Sequence, residues 1–298
     1  MTLLTGSTGF LGKIILKYYN HIDIKTLSRS NSDYQIDLSK NIPKFIHKFN
    51  KIIHSAGLAH VNLKSTLDNN LFNKTNVDGT KNLLLGLEKS FIPEHFIFIS
   101  SVAVYGISKG KNVSEDAPLL ATDPYGLSKI KAEDLIIKWC KKHNVVCTII
   151  RLPLIIGSNP PGNLRDIIKS IQNGYYFNIK NNISKRSMVL ADDIGVFLKN
   201  IPKINGVFNL TDGYNPSIQE LTILISNQIM VSKPFTLPLF YFKVLAYIGD
   251  NFFIRFPFNS SKLEKLTNTL TFDDSKAREI LKWKPNQVLK SYNFNNIN

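Results

Sequence analysis

From the amino terminus, a short apolar run at Thr2 to Thr5 gives way to a glycine-rich turn and then to FLGKIILKYYN, where apolar residues recur at helical spacing. The pattern predicts strand, turn and helix. Further β-rich runs stand at Ile22 to Leu27, Lys51 to His54, His95 to Ser101 and Asn144 to Leu152, with longer helical patterns at Asn69 to Lys89 and Pro124 to Lys142. Short, almost wholly apolar strands alternating with helices predict an α/β chain: a doubly wound parallel sheet covered on both faces. The rhythm breaks down after about Pro160. Residues 1–160 are therefore assigned to the sheet domain and 161–298 mainly to a smaller mixed α/β portion, with about 188–215 expected to fold back onto the first domain.

The most apolar later stretch, Pro234 to Phe258, is interrupted by Lys243, Asp250, Arg255 and three prolines. It reads as a buried or lid-like helical region, not as an integral membrane segment. A net charge of +15 raises the possibility of nucleic acid, but the lysines are scattered, which fits a solvated basic surface that also attracts small anions. No nucleic-acid partner is expected. The glycine turn interrupts any leader-like apolar run, and Cys140 and Cys147 alone make neither a zinc set nor a disulfide framework. A reducing cytoplasm fits these features. The histidines, His54 and His60 included, show no ligand spacing, so no metal is expected.

Three glycines in TGSTGFLG, at Gly6, Gly9 and Gly12, need a reason, because glycine in an ordered element costs about 0.5–1 kcal/mol against alanine. A turn that follows a strand and opens a helix directs backbone N–H groups at a phosphate, as in a dinucleotide's pyrophosphate. A tight turn without a ligand would use the same residues, and G-x-x-G-x-x-G is not the commoner spacing. DPYGLSK sets Tyr125 and Lys129 four residues apart at the start of a helix, on one face. FISSVAVYG sets Ser100 and Ser101 at the end of a strand, the edge where open parallel sheets bind ligands.

In this order the glycine turn, the strand-end serines and the Tyr-x-x-x-Lys pair resemble the extended short-chain dehydrogenase/reductase family. IIHSAG, TNVDGTKNLL, RLPLIIG, RSMVLADDIG and FDDSKAREILKWKP extend the resemblance to its nucleotide-sugar branch, the NAD-dependent epimerases and dehydratases, over nearly the whole chain. The resemblance implies a Rossmann-type sheet with a substrate-binding portion and a catalytic set of Ser101, Tyr125 and Lys129. It places the dinucleotide on Gly6, Thr8, Gly9, Phe10, Leu11, Gly12, Arg29, Asp37, Leu38, Ala56, Gly57 and Asn76, together with Tyr125 and Lys129. The nucleotide sugar falls to Ser101, Asn163 and Arg186. The family's second arginine has no counterpart around Lys262 to Lys265, and Arg255 stands further off.

Ser101 is the counterpart of the family's catalytic Ser/Thr, and Ser100 reads as a neighbour packing near the cofactor. A phenol acting as base near pH 7 needs its pKa lowered by roughly three units, about 4 kcal/mol, which the Lys129 ammonium is expected to help supply. No acid ends the second strand and Arg29 is placed for a 2′-phosphate, so NADP(H) is favoured, with NAD(H) possible; a solvated Arg29 is the plainer reading. The expected activity is reduction at carbon 4 of a UDP-4-keto-6-deoxy-hexosamine in bacterial surface-polysaccharide synthesis. The alternatives are a UDP-glucose or UDP-N-acetylglucosamine 4-epimerase and, in another class, a non-catalytic dinucleotide sensor. Val102 and Ala103 replace the acid and partner that dehydration needs. The helices at Asn69 to Lys89 and Pro124 to Lys142 resemble the family's dimerising pair, which implies a homodimer.

Overall fold

A computed structural model describes residues 1–59, 67–160, 162–251 and 258–294 of the chain. His60, Pro161 and Arg255 lie outside the described residues, as does the side chain of Asn163. The first half runs β1 (Thr2–Thr5), α1 (Phe10–Leu16), β2 (Ile24–Ser28), β3 (Tyr34–Gln35), β4 (Lys51–His54), α2 (Leu67–Phe72), a π-helical segment (Asn73–Asp78), α3 (Gly79–Glu88), β5 (His95–Ser101), a 3-10 turn (Val102–Tyr105), β6 (Gly110–Val113), α4 (Pro124–His143) and β7 (Val146–Leu152). The second runs β8 (Leu154–Ile156), α5 (Asn163–Gln172), β9 (Phe177–Ile179), β10 (Met188–Leu190), α6 (Ala191–Lys199), β11 (Gly206–Asn209), α7 (Ile218–Gln228), β12 (Phe235–Leu237), α8 (Leu239–Asn251), α9 (Ser260–Thr267), β13 (Leu270–Phe272), α10 (Ser275–Ile280) and α11 (Val288–Ser291).

Seven parallel strands lie in the order β11-β7-β5-β4-β1-β2-β3. The winding reverses between β1 and β4, and the carboxyl ends of those two strands form the crevice where such sheets take ligands. One face buries Leu11, Ile14 and Ile15 of α1 with Ile194 and Leu198 of α6. The other buries Leu83 and Leu87 of α3 with Ile136 and Trp139 of α4. Because both faces are covered, β5 reads HFIFISS with six successive buried residues and no alternation. A separate core gathers Leu164 and Ile168 of α5, Leu221 and Ile225 of α7 and Val288 of α11.

Several elements depart from the sequence pattern. The expected helix at Asn69 to Lys89 is a helical path in three pieces, because the π segment inserts between α2 and α3. The second strand starts at Ile24 and ends at Ser28, and the two-residue β3 is too short for periodicity to reveal. The stretch expected to be buried or lid-like forms α8, which buries only Phe242 and Ala246. Among the described residues no helix is long and apolar enough to cross a membrane.

Candidate active site at the carboxyl edge

The glycine turn closes tightly because two of its glycines have no room for a side chain. Gly6 leaves β1 at φ +73°, and a Cβ there would lie 2.7 Å from the Ala56 Cα. At Gly12 a Cβ would meet the Gly6 carbonyl at 2.1 Å, so α1 sits directly on the turn. Both glycines are therefore demanded by packing alone. Gly9 differs: its nearest neighbour is the Gly6 carbonyl at 3.2 Å, and it caps α1 with no side-chain acceptor for the first-turn N–H groups. Thr8 is exposed beside it, and its N–H donates to the Ser28 hydroxyl at 3.3 Å. Phe10 packs toward Gly157, while Leu11 is buried in the core.

On the other side of the crevice, Thr5 Oγ1 accepts from the Ala56 N–H at 3.1 Å and lies 2.7 Å from His54 Nδ1. His54 Nε2 lies 2.9 Å from Thr80 Oγ1, whose own proton goes to the Asn76 carbonyl. These partners assign His54 as the neutral Nε2–H tautomer, with both ring nitrogens engaged. The ring braces β1, β4 and α3 and has no nitrogen left for a metal. Among the described residues no group of His, Cys, Asp and Glu could hold one.

Burial, with the Lys129 charge adding to it, holds His54 down at about 3, and burial holds the equally enclosed His95 at about 4. Unfolded imidazoles titrate near 6.5, so below that pH the unfolded chain takes up protons that the folded one refuses. Stability must then fall with falling pH, by roughly 2 kcal/mol per histidine between pH 7 and 5. The raised carboxyls of Asp193 and Asp212 act in the opposite sense. Urea midpoints at the two pH values check the balance; a lower midpoint at pH 5 is expected, and an unchanged or higher one would show that the raised carboxyls offset the histidines.

Asn76 lies in the π segment and ties the crevice together. Its Oδ1 accepts from the Leu58 N–H at 2.6 Å, and its Nδ2 donates to the Leu58 carbonyl and to Ser128 Oγ, the latter at 2.8 Å. A Cβ at Gly57 would stand 3.2 Å from Asn76 Oδ1 and 3.4 Å from Lys129 Nζ, so this glycine leaves a cradle between the two loops. Ser128 was not among the residues singled out from the sequence; its place one residue before Lys129 is the only signal it gives.

Asp123 caps α4 by accepting from the Gly126 N–H at 3.0 Å, and Pro124 occupies the first turn, where its missing N–H costs nothing. This start sets Tyr125 in the first turn and Lys129 one turn further in. Ser101 ends β5, its hydroxyl accepting from the Ala103 N–H at 3.2 Å, and it acts on the Tyr125 phenol in the sense that favours phenolate. Lys129 is 6% exposed and donates to the Ile99 carbonyl at 2.9 Å. The structure thus brings the three side chains to one edge.

Burial pushes the Tyr125 phenol up, with Ser101 opposing it and the Asp123 charge adding to it. Burial also pulls Lys129 down to about 8 against the pull of Glu133. Desolvation outweighs both attractions in the free protein, so the phenol is poised as a proton donor.

Ser100 is buried and donates to Glu133 Oε1 at 2.5 Å. Glu133 stands one turn beyond Lys129 and forms a two-point ion pair with Arg151 of β7, at 3.1 and 2.7 Å. Arg151 also donates to the Tyr105 hydroxyl, which donates to Asn209 Oδ1. This buried network fastens α4 to β5, β7 and β11 directly behind the edge that carries Ser101, Tyr125 and Lys129. A carboxylate on the buried face of a helix was its one sign in the sequence.

Arg29 is exposed just past β2, where its charge lowers Asp37, whose carboxylate is held mainly by the Ser39 hydroxyl. Leu38 is buried, and its carbonyl accepts from Asn82. Arg186 is half-buried and donates to the Lys265 carbonyl of α9. Asn163 opens α5 after Gly162. With an uncapped helix start, the open Gly9, the Gly57 cradle and a basic residue at the adenosine end, the crevice fits a dinucleotide.

Residues 2–195 match the NAD dependent epimerase/dehydratase family. The chain is 29% identical to the UDP-glucose 4-epimerase of Vibrio cholerae, over 97% of this chain and 92% of that protein. It is 27% identical to the N-acetyl-alpha-D-glucosaminyl-diphospho-ditrans,octacis-undecaprenol 4-epimerase of Escherichia coli O157:H7, over 92% of this chain and 88% of the relative. Among solved structures, UDP-glucuronic acid 4-epimerase from Bacillus cereus, in complex with UDP-glucuronic acid and NAD, superposes with a TM-score of 0.71 at 20% identity, covering 99% of this chain and 98% of the other. RMD from Pseudomonas aeruginosa, complexed with NADPH, gives 0.72 at 20% identity, covering 98% and 96%. At such identities the structures establish the shared fold.

Proposed function

Since the chain belongs to the NAD dependent epimerase/dehydratase family, we propose that it is an NAD(P)-dependent enzyme that inverts carbon 4 of a sugar carried on a diphosphate. The observation that carries this reading is the meeting of Ser101, Tyr125 and Lys129 beside the glycine turn. That both relatives named above are 4-epimerases, alike over nearly the full length, supports inversion. Bound nicotinamide supplies hydride transfer to and from the sugar carbon. Tyr125 takes the O4 proton and returns it, Ser101 holds the same oxygen by a hydrogen bond, and the Lys129 ammonium favours phenolate. The substrate is a UDP-hexose or UDP-hexosamine or, as the E. coli relative's name implies, a hexosamine on undecaprenyl diphosphate, destined for a surface polysaccharide. Arg186 and Asn163 are assigned to the diphosphate and sugar, an arginine being suited to two-point contact with phosphate oxygens.

A second reading, reduction of a UDP-4-keto-6-deoxy-hexosamine, draws on one feature: Ser28 stands where an acid would select NAD, with Arg29 exposed beside it. An epimerase keeps its cofactor through turnover and a reductase exchanges it. Denaturing freshly purified protein and identifying released nucleotide by mass spectrometry separates the two. Near-stoichiometric NAD supports epimerisation; an empty protein that fills preferentially with NADPH moves the assignment to the reductase; failure to bind either sinks both.

The protein is further assigned as a homodimer through α2, α3 and α4, a reading supported by exposed Leu71 on α2 and exposed Leu127 and Ile137 on α4. Light scattering should return twice the 33.8 kDa chain mass, and Ile137→Asp should lower it; a monomeric wild type refutes the assignment. Two free cysteines suit a reducing compartment such as the cytoplasm.

A further inference from the structure

We propose that the outer face of α8 is a docking surface for an anionic lipid bilayer and that it holds the diphosphate end of the active site at the membrane. The proposal rests on the assignment of Arg186 to the diphosphate made above. The helix LFYFKVLAYIGDN is apolar around most of its circumference but buries only one stripe, Phe242 and Ala246. That stripe turns toward α9 and Phe258, whose ring lies 6.2 Å from that of Phe242. Phe240 and Val244, two residues before each and so roughly 160° round the helix, are 68% and 41% exposed, with Tyr241 and Leu245 also exposed. Phe235, on the strand that leads into the helix, is 74% exposed. Contiguous apolar surface of this kind marks an interaction site.

Charge selects the occupant. Exposed Lys233 and Lys243 flank the face, and the chain carries a net +15. Such a charge is attracted to an anionic headgroup layer. At thirteen residues α8 is about 20 Å long, too short for the roughly 30 Å hydrocarbon core, so it lies in the interfacial plane with its aromatic side inward.

Position gives the face its purpose. α9, against which α8 packs, supplies the Lys265 carbonyl that holds Arg186, and its Glu264 carboxylate accepts from Ser108 Oγ at 2.8 Å, just beyond the turn that follows Ser101. The α8–α9 pair is therefore braced against both the diphosphate arginine and the catalytic loop. A diphosphate bound at Arg186 would lie beside the element that meets the lipid.

The test is sedimentation of the full chain with vesicles of phosphatidylcholine mixed with phosphatidylglycerol, alongside phosphatidylcholine alone, for wild type and the double variant Phe240→Ser/Val244→Ser. Wild type should pellet with the mixed vesicles and less as salt rises. The double variant should lose about tenfold or more in partitioning, with unchanged thermal unfolding and unchanged turnover of a soluble UDP-hexosamine. The proposal is overturned if wild type stays in the supernatant, or if the variant pellets equally, which would leave only a diffuse basic surface at work. It is also overturned if wild type ignores vesicles but forms oligomers that the variant abolishes, which would give the face to a second copy. Vesicle binding without turnover of any diphosphate-linked hexose or hexosamine would overturn the proposed reaction and leave the docking surface standing.

Discussion

Tyr125→Phe is expected to lower turnover at carbon 4 by about 10²- to 10⁴-fold, the range for losing a positioned proton-transfer group, while dinucleotide binding stays within a few-fold of wild type. The Ser101 hydroxyl keeps its bond from the Ala103 N–H in the variant, so the change leaves little unsatisfied. Ring packing against Phe72, at 5.9 Å between centroids, survives in the variant. Turnover at saturating substrate and cofactor titration by fluorescence make the comparison. If the variant turned over normally, proton transfer at this tyrosine would be wrong. If wild type and variant were equally inactive on every hexose and hexosamine diphosphate but bound dinucleotide alike, the sensor reading would gain.

The largest effect on stability is expected at Glu133. Its side chain is 3% exposed and that of Arg151 5%. Ser100, Arg151 and, through Arg151, Tyr105 and Asn209 all depend on its carboxylate. Glu133→Leu strands a buried guanidinium, and removing one partner of such a pair costs about 3–5 kcal/mol. The double variant Glu133→Leu/Arg151→Met should be milder, because the desolvated charge leaves with its partner. Urea denaturation measures both. A single variant within about 1 kcal/mol of wild type, or a double variant worse than the single one, would show that the pair is not the brace described.

The same network marks where reading the sequence stopped. Glu133 follows Lys129 at helical spacing, yet nothing local names Arg151 or Ser100 as its partners, because those contacts join positions 18 and 33 residues away. The π segment carrying Asn76 was equally hidden, since nothing in NKTNVD marks a change in helical hydrogen bonding. Burial decided the ionisation of Tyr125 and Lys129, and burial depends on what the rest of the chain lays over them. α8 shows the limit from another side: a helix apolar around most of its circumference gives no sign of which stripe it will bury.

By itself the sequence determined the sheet and the ingredients of the site. Strands buried on both faces must be continuously apolar, so β1, β4 and β5 stand at their expected residues. A tight strand-to-helix turn must be glycine where a Cβ would strike backbone, and a helix start capped by Asp123 and Pro124 puts Tyr125 and Lys129 on one face. Only the tertiary structure decided that Ser101 meets Tyr125, that Ser100 turns to Glu133 and that α8 leaves aromatic surface in water. Local pattern states which side chains gain by leaving water; which neighbours then satisfy their charges and hydrogen bonds is settled by the packing of segments far apart in the chain.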